Sequence, residues 1–271
     1  MATMVAHNPL PEAHADPMKA ISKIANAAHG VVERGVQSFE EMEEVVGWHH
    51  VKGVLYSRPP LTCTAEMQAW AAGQKEKYRP FSKEVLQVGC CGEHTHLGDA
   101  DVLAASQRLV RNLPASLAGP IRSDAMELAT MMLRLCPDGS HRQLTLQVVV
   151  LGRNACSRWH QDHIISRAIV TYNGPGTWLV SDASVRFDQL EATRGMPDAV
   201  SDPAIVPRRE DIHCPGPNDV VFMKGGKWRG IEGVKGREGL THKSPTIPSD
   251  AQGNPTLHRI MLKVDIDGAD H

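Results

Sequence analysis

Residues 144–172 read LTLQVVVLG-RNACS-RWHQDH-IISRAIVTY, and this stretch decides the fold. Leu144–Gly152 and Ile164–Tyr172 are β-branched runs of strand length, and Asn173-Gly174-Pro175-Gly176 closes the second with a turn. Between them lies Arg158-Trp159-His160-Gln161-Asp162-His163. In extended chain, residues two apart point the same way, so His160 and Asp162 address one cavity. Downstream, Thr177–Val180, Asp219–Met223 and Leu257–Ile266 complete at least five strands, separated by Gly- and Pro-rich connections.

In the last of these, Ile260, Leu262, Val264 and Ile266 share one face, and Arg259, Met261, Lys263 and Asp265 share the other. The aliphatic side can pack on a layer while the polar side faces a lumen. Working back toward the N-terminus, the texture is helical. Residues 1–17 read as a disordered lead. Apolar residues at helical spacing mark Met18 to about Val36, and Ser38 with Glu41 forms a capping box for Phe39–Trp48. Thr64–Ala72, Asp99–Val110 and a helix from Ser123 to the Pro137-Asp138-Gly139 turn follow. The expected organisation is therefore a mostly helical part over 18–140 packed on a β part over 141–271, an α+β chain in which the β part is a jelly roll, or double-stranded β-helix, of cupin-like form. Ser181–Pro217 carries five prolines and reads as a long irregular loop, a candidate lid.

Composition excludes several function classes. A formal charge of −2 with 22% charged residues gives no electrostatic reason to expect nucleic acid or a membrane surface as partner, and 4% aromatics is too few for a base-stacking platform. No apolar run approaches the ~20 residues that span a bilayer. The six cysteines show no C-x-x-C spacing, and the first residues have no apolar signal core. A soluble, cytoplasmic protein acting on a small-molecule substrate is the expectation.

The chemistry sits in His160 and Asp162. An imidazole and a carboxylate on one face are two ligands of a 2-His-1-carboxylate triad, which leaves positions open on Fe(II). The third ligand has to come from a facing strand, and His242, in Gly239-Leu240-Thr241-His242-Lys243-Ser244-Pro245, is the best placed. Taken alone, an H-x-D is more often chance than a metal site. The β context, the later histidine and Arg259 raise it. Arg259 on the polar face of the last strand suits the distal carboxylate of 2-oxoglutarate; its bland alternative is a salt bridge with Asp265. Arg167 is a further anion clamp or an acid's partner, and Lys263 is the reserve cation.

Weaker candidates are Cys90, Cys91, Glu93, His94 and His96, which could hold zinc, and the His213/Cys214 pair as a nucleophile. His49-His50 reads as a partner of a helix C-terminus, and Gly225-Gly226 as turn glycines.

The stretches CSRWHQDHIISRAIVTYNGPGTWL, NDVVFMKGGKW, GLTHKSPTIP and HRIMLKVD together resemble the domain of unknown function 1826 family over roughly residues 50–266. That resemblance implies a metal-dependent jelly roll without a settled reaction. The association of some bacterial members with zinc-responsive gene sets keeps a metal-homeostasis role open. The leading expectation is a non-haem Fe(II) oxygenase using 2-oxoglutarate, with His160, Asp162 and His242 as ligands. The alternatives are a zinc-binding protein without turnover, a cupin-like enzyme with another divalent ion, and an inactive interaction module.

Overall fold

The protein was analysed as a computed structural model that describes residues 30–62, 64–74, 80–88, 97–135, 142–152, 156–228 and 238–268. Two strong strands flank the H-x-D segment: β4, Arg142–Leu151, and β5, Ser166–Thr171. After them come β6 (Trp178–Val180), β7 (Ile212–His213), β8 (Val220–Lys224), β9 (Thr241–Lys243) and β10 (Arg259–Gly268). Before them lie β1 (Val31–Val36), β2 (Val51–Tyr56) and β3 (Ser82–Val88). The ten strands form a seven-stranded sheet, β1-β2-β8-β5-β10-β4-β3, and a three-stranded sheet, β7-β6-β9.

His160 adds to the small sheet by an isolated antiparallel bridge with His242 of β9. From β4 onward the chain therefore alternates between layers. The segments β4, β5, β8 and β10 lie in the large sheet; the His160 bridge, β6, β7 and β9 lie in the small one. The orders β8-β5-β10-β4 and β7-β6-β9-His160 are those of a double-stranded β-helix. The chain is α+β with a jelly-roll centre.

The last strand divides as its alternation predicts. Ile260, Leu262, Val264 and Ile266 are fully buried among helices α1 (Phe39–Val46), α2 (Thr64–Ala72), α3 (Asp99–Val110) and α4 (Ala115–Leu135), which cover the outer face of the large sheet. Its other face joins a second core between the sheets, in which Ile169, Val221, Met223 and Met261 meet Leu179 and Leu240 of the small layer.

The part over 18–140 carries the four helices of the outer layer, but it also supplies β1, β2 and β3 to the large sheet, which the expectation of a mostly helical part did not include. The periodicity drawn through Val31 and Val32 belongs to a strand. Gly30 breaks it with φ of +85°, and a Cβ there would lie 2.1 Å from the Asp182 carboxylate carbon. Ser38 caps the helix, with Glu41 N–H donating to Ser38 Oγ at 3.1 Å, but the return bond of the expected capping box is displaced by one residue: Gln37 N–H, not Ser38 N–H, donates to Glu41 Oε2 at 2.8 Å. The helix placed from Ser123 begins earlier, at Ala115, with Pro120 inside it. Residues 1–29, Pro137-Asp138-Gly139 and the Cys90–His96 cluster lie outside the described residues.

Ser181–Pro217 is not irregular. It carries α5 (Phe187–Ala192) and α6 (Asp198–Ile205), and it packs Ile205 and Val206 with Trp159 and Val180 in a third small core. Its start is held by Lys52, whose Nζ donates to Asp182 at 2.7 Å. Five prolines look like loop in sequence, but Pro197 stands at the helix N-cap, where no N–H is needed.

Candidate metal centre

The antiparallel bridge is what assembles the site. His160 N–H donates to His242 C=O at 3.0 Å, and His242 N–H to His160 C=O at 2.9 Å, so the two rings stand side by side with centroids 4.4 Å apart. Asp162 lies one strand step on. His160 Nε2 is 3.6 Å from Asp162 Oδ1, and His242 Nε2 is 3.3 Å from Asp162 Oδ2. One donor atom from each residue lies within 4.8 Å of the others. Ligands of one ion at about 2.1 Å sit roughly 3–3.5 Å apart, so the set has the right size.

Local hydrogen bonds fix the imidazoles for this use. His160 Nδ1 faces Arg158 C=O at 2.8 Å, and His242 Nδ1 faces Leu240 C=O at 3.0 Å. A carbonyl only accepts, so each Nδ1 carries the proton and each Nε2 presents its lone pair to the site. Burial is the main force on His242 and lowers its pKa, against the raising effect of Asp162, which keeps the ring neutral. Asp162 is held well below the usual carboxylate range. Burial would raise it, but the facing imidazoles and the Arg167 charge outweigh that effect, and with each Nε2 unprotonated it is Arg167 that donates the hydrogen bond to the carboxylate.

Arg167 on β5 donates through Nη1 to Asp162 Oδ2 and grips Asp265 of β10 with Nε at 2.6 Å and Nη2 at 2.9 Å. It orients the carboxylate ligand rather than standing free as an anion clamp. The backbone behind Asp162 is equally constrained. Gly226 N–H donates to Asp162 C=O at 2.9 Å, and Gly225 approaches so closely that a Cβ would lie 2.1 Å from the Ile164 carbonyl oxygen. Those glycines are tight-packing positions beside the site, not only turn residues.

A cavity of about 410 Å³ opens on the triad. Its walls include Gln147, Val149, Ile169, Met261, Thr177 and Ser244, with Lys263 and Cys156. Lys263 has no hydrogen bond or ion pair among the described residues, and burial lowers its pKa. Arg259 lies farther along the same face of β10, wholly buried, outside the cavity wall. Its Nη1 donates to Pro175 C=O at 3.3 Å, whereas Nε and Nη2 find no partner among the described residues. Asp265, its suggested bland partner, belongs to Arg167. Burial pulls the Arg259 pKa down to about 10, which leaves it cationic at neutral pH.

Sequence reasoning missed the roles of Gln147, Cys156, Thr177 and Ser244. Gln147 was within reach, since it stands opposite Lys263 once β4 and β10 are paired. Cys156 was not, because it enters the cavity from a turn with φ of +55°. His213 and Cys214 do not form a nucleophile pair: burial lowers the histidine and raises the thiol, the opposite of activation. His50 stacks on Trp48 with centroids 5.8 Å apart, away from the site.

Fold and site together define a double-stranded β-helix protein with a His-Asp-His cluster that could hold a metal ion. The chain belongs to the family described as "Protein of unknown function (DUF1826)", whose model matches residues 63–265. No curated protein matches the sequence. Among solved structures, the rice dioxygenase for auxin oxidation is similar at 11% identity, TM-score 0.37, over 88% of this chain and 82% of that one. A Burkholderia pseudomallei oxidoreductase of the 2OG-Fe(II) oxygenase family gives 11% and 0.35 over 88% and 95%. Neurospora crassa T7H in complex with alpha-KG gives 12% and 0.35 over 88% and 84%. Likenesses this distant carry no weight for the chemistry, which rests on the site itself. Among the described residues, no helix is long and apolar enough to cross a membrane.

Proposed function

We propose that the protein is an Fe(II)- and 2-oxoglutarate-dependent oxygenase acting on a small molecule. His160, Asp162 and His242 would hold the iron, and Arg259 would take the distal carboxylate of 2-oxoglutarate. The observation that carries the co-substrate is the orphaned edge of Arg259. Nε–H and Nη2–H point the same way from one guanidinium, the fork that a carboxylate matches with two hydrogen bonds. A buried guanidinium left without an anion is costly, and a bound dicarboxylate removes that cost.

The bound group would supply oxygen activation coupled to oxidative decarboxylation of 2-oxoglutarate. The chain's own residues do the rest. Arg158 and Leu240 carbonyls hold the imidazole tautomers. Arg167 keeps Asp162 ionised and aimed. Val149, Ile169 and Met261 line the cavity with apolar surface that keeps water away, and Lys263 adds positive charge on the triad side of Arg259.

The test is anaerobic titration of the Fe(II)-loaded protein with 2-oxoglutarate. A weak visible charge-transfer band, with calorimetric binding at the same stoichiometry, is the expected result. Metal binding without any 2-oxoglutarate uptake at millimolar concentration would leave the zinc-handling alternative in its place.

A further inference from the structure

We infer that Lys243, on the side of the small sheet facing away from the metal, is a positioning residue for the centre, held by the acidic side chains of α6. This rests on the His160–Asp162–His242 set being a metal site.

Both histidine ligands have a neighbour pointing to the opposite face. Trp159 precedes His160, and Lys243 follows His242. These two neighbours meet: Lys243 Nζ lies 5.8 Å from the Trp159 ring centroid and 5.7 Å from that of Trp178, the residue paired with it across β6 and β9. Lys243 is 0% exposed and Trp159 1%. The ammonium is paired with Asp202 Oδ2 at 2.6 Å, with Asp198 Oδ2 at 3.8 Å. Both acids stand one turn apart on α6, whose Ile205 packs into the same small core as Trp159.

A fully buried lysine is an expensive way to fill space, since a hydrophobic side chain of similar volume commonly does as well or better. What the charge adds is direction. It draws Trp159 and Trp178 toward one point through their ring faces and fixes that point against α6. The bridge between His160 and His242 consists of only two backbone hydrogen bonds, at the edge of a short sheet. Clamping Trp159 and Lys243 on the far face sets the spacing of the two rings on the near face. The insert Asp182–Asp211 thus acts on the metal centre from behind, although it contributes nothing to the cavity wall.

An anchor for the insert alone would affect stability and leave the metal indifferent. The two roles separate in a binding experiment with Zn(II) and Co(II) on the full chain, comparing wild type, Lys243→Met and Asp202→Asn. A positioning role predicts a loss of metal affinity of about 10–100-fold in Lys243→Met, as for other residues that orient ligands. It also predicts an altered Co(II) absorption spectrum, and a smaller loss in the same direction for Asp202→Asn. If both variants melt earlier without metal yet bind Zn(II) within twofold of wild type with an unchanged Co(II) spectrum, the inference is overturned. Should Lys243→Met not fold, Asp202→Asn decides alone, since its carboxylate is partly exposed and its loss milder. A wild type that binds no divalent metal would sink the metal-centre reading as well. Normal wild-type binding with indifferent variants sinks only this one.

Discussion

His160 and His242 are hydrogen-bonded to each other through both main-chain groups, at 3.0 and 2.9 Å, as directly opposed residues of an antiparallel pair. The two imidazoles are therefore adjacent by backbone register, and a third ligand two residues along either strand completes a site. Asp162 is that residue. The same register makes the site intolerant of slippage, because a shift of one residue turns one ring to the far side of the sheet.

From this follows the simplest expectation, one divalent ion per chain. His160→Ala and His242→Ala should each abolish stoichiometric binding while leaving the helical layer and far-UV circular dichroism intact. Acid should release the metal by proton competition. Burial lowers the His242 pKa from 6.5, so its share of the loss begins only below that pH, and no loss from this residue is expected between pH 8 and 6.5. Metal analysis after dialysis at stepped pH checks this. Full metal content in the His160→Ala/His242→Ala double variant would refute the ligand set.

Arg167 has a second effect that can be measured. It binds Asp162 with one nitrogen and Asp265 with two, and so couples β5, β10 and the ligand strand. Arg167→Met should reduce metal affinity about 10–100-fold, because Asp162 loses the partner that aims it. Arg167→Lys should recover part of this, since an ammonium can meet one carboxylate but lacks the planar fork to serve both. Unchanged affinity in Arg167→Met would mean that the histidines and backbone suffice to aim the carboxylate.

Much of this was legible before the structure. The alternation in Arg259–Ile266 separated the aliphatic face that packs against the helices from the face that carries Arg259 and Lys263, and the H-x-D between two β-branched runs named two of the three side chains that could hold a metal ion. Period-two patterns report a strand's faces because the pleat is local. What stayed hidden was non-local or short. In β2, Val51–Leu55 is buried throughout, so Val-Lys-Gly-Val-Leu shows no alternation to read. In β1 the valines fit an apparent helical pattern, and their strand conformation follows from pairing with β2, which spacing alone does not report. Arg167's choice of Asp265 follows from strand register, in which the two stand opposite, and a sequence without known pairing could equally give Asp265 to Arg259.

Lys224 offers a stability prediction independent of the metal. Only 2% exposed, it donates to Trp48 C=O at 2.8 Å and lies 5.0 Å from the Trp228 ring centroid. Burial pushes its pKa from 10.5 down to about 8. Between those values the unfolded chain holds a proton that the folded chain has released, so unfolding free energy should rise as pH rises from 8 to 10.5. The rise should be at most about 3 kcal/mol. Lys224→Met should remove this slope and be neutral to stabilising at pH 7. Urea unfolding of both proteins across that pH range is the measurement. An unchanged slope in the variant would assign the pH dependence to other groups.

The co-substrate assignment turns on two cations of one strand face. Lys263 lines the cavity, while Arg259 lies beyond it, wholly buried, with Nε and Nη2 unpartnered among the described residues. A dicarboxylate that reaches from the triad must place its distal end against one of them. Lysine would meet it as a flexible point charge, and arginine as a preset fork at a fixed distance. Removing the partner of a buried charge typically costs about 3–5 kcal/mol, or roughly a hundred- to several-thousand-fold in affinity. Arg259→Met should therefore keep its metal and lose 2-oxoglutarate binding by that factor, together with any 2-oxoglutarate-dependent oxygen consumption. Lys263→Met should lose less, about tenfold, because a cation that meets the ligand in a more open cavity is better screened. Calorimetry on metal-loaded, oxygen-free protein reads both variants directly. The reverse order of losses would make Lys263 the anchor and Arg259 a structural cation under the Asn173–Gly176 turn, while equal and negligible losses would remove 2-oxoglutarate from the site altogether.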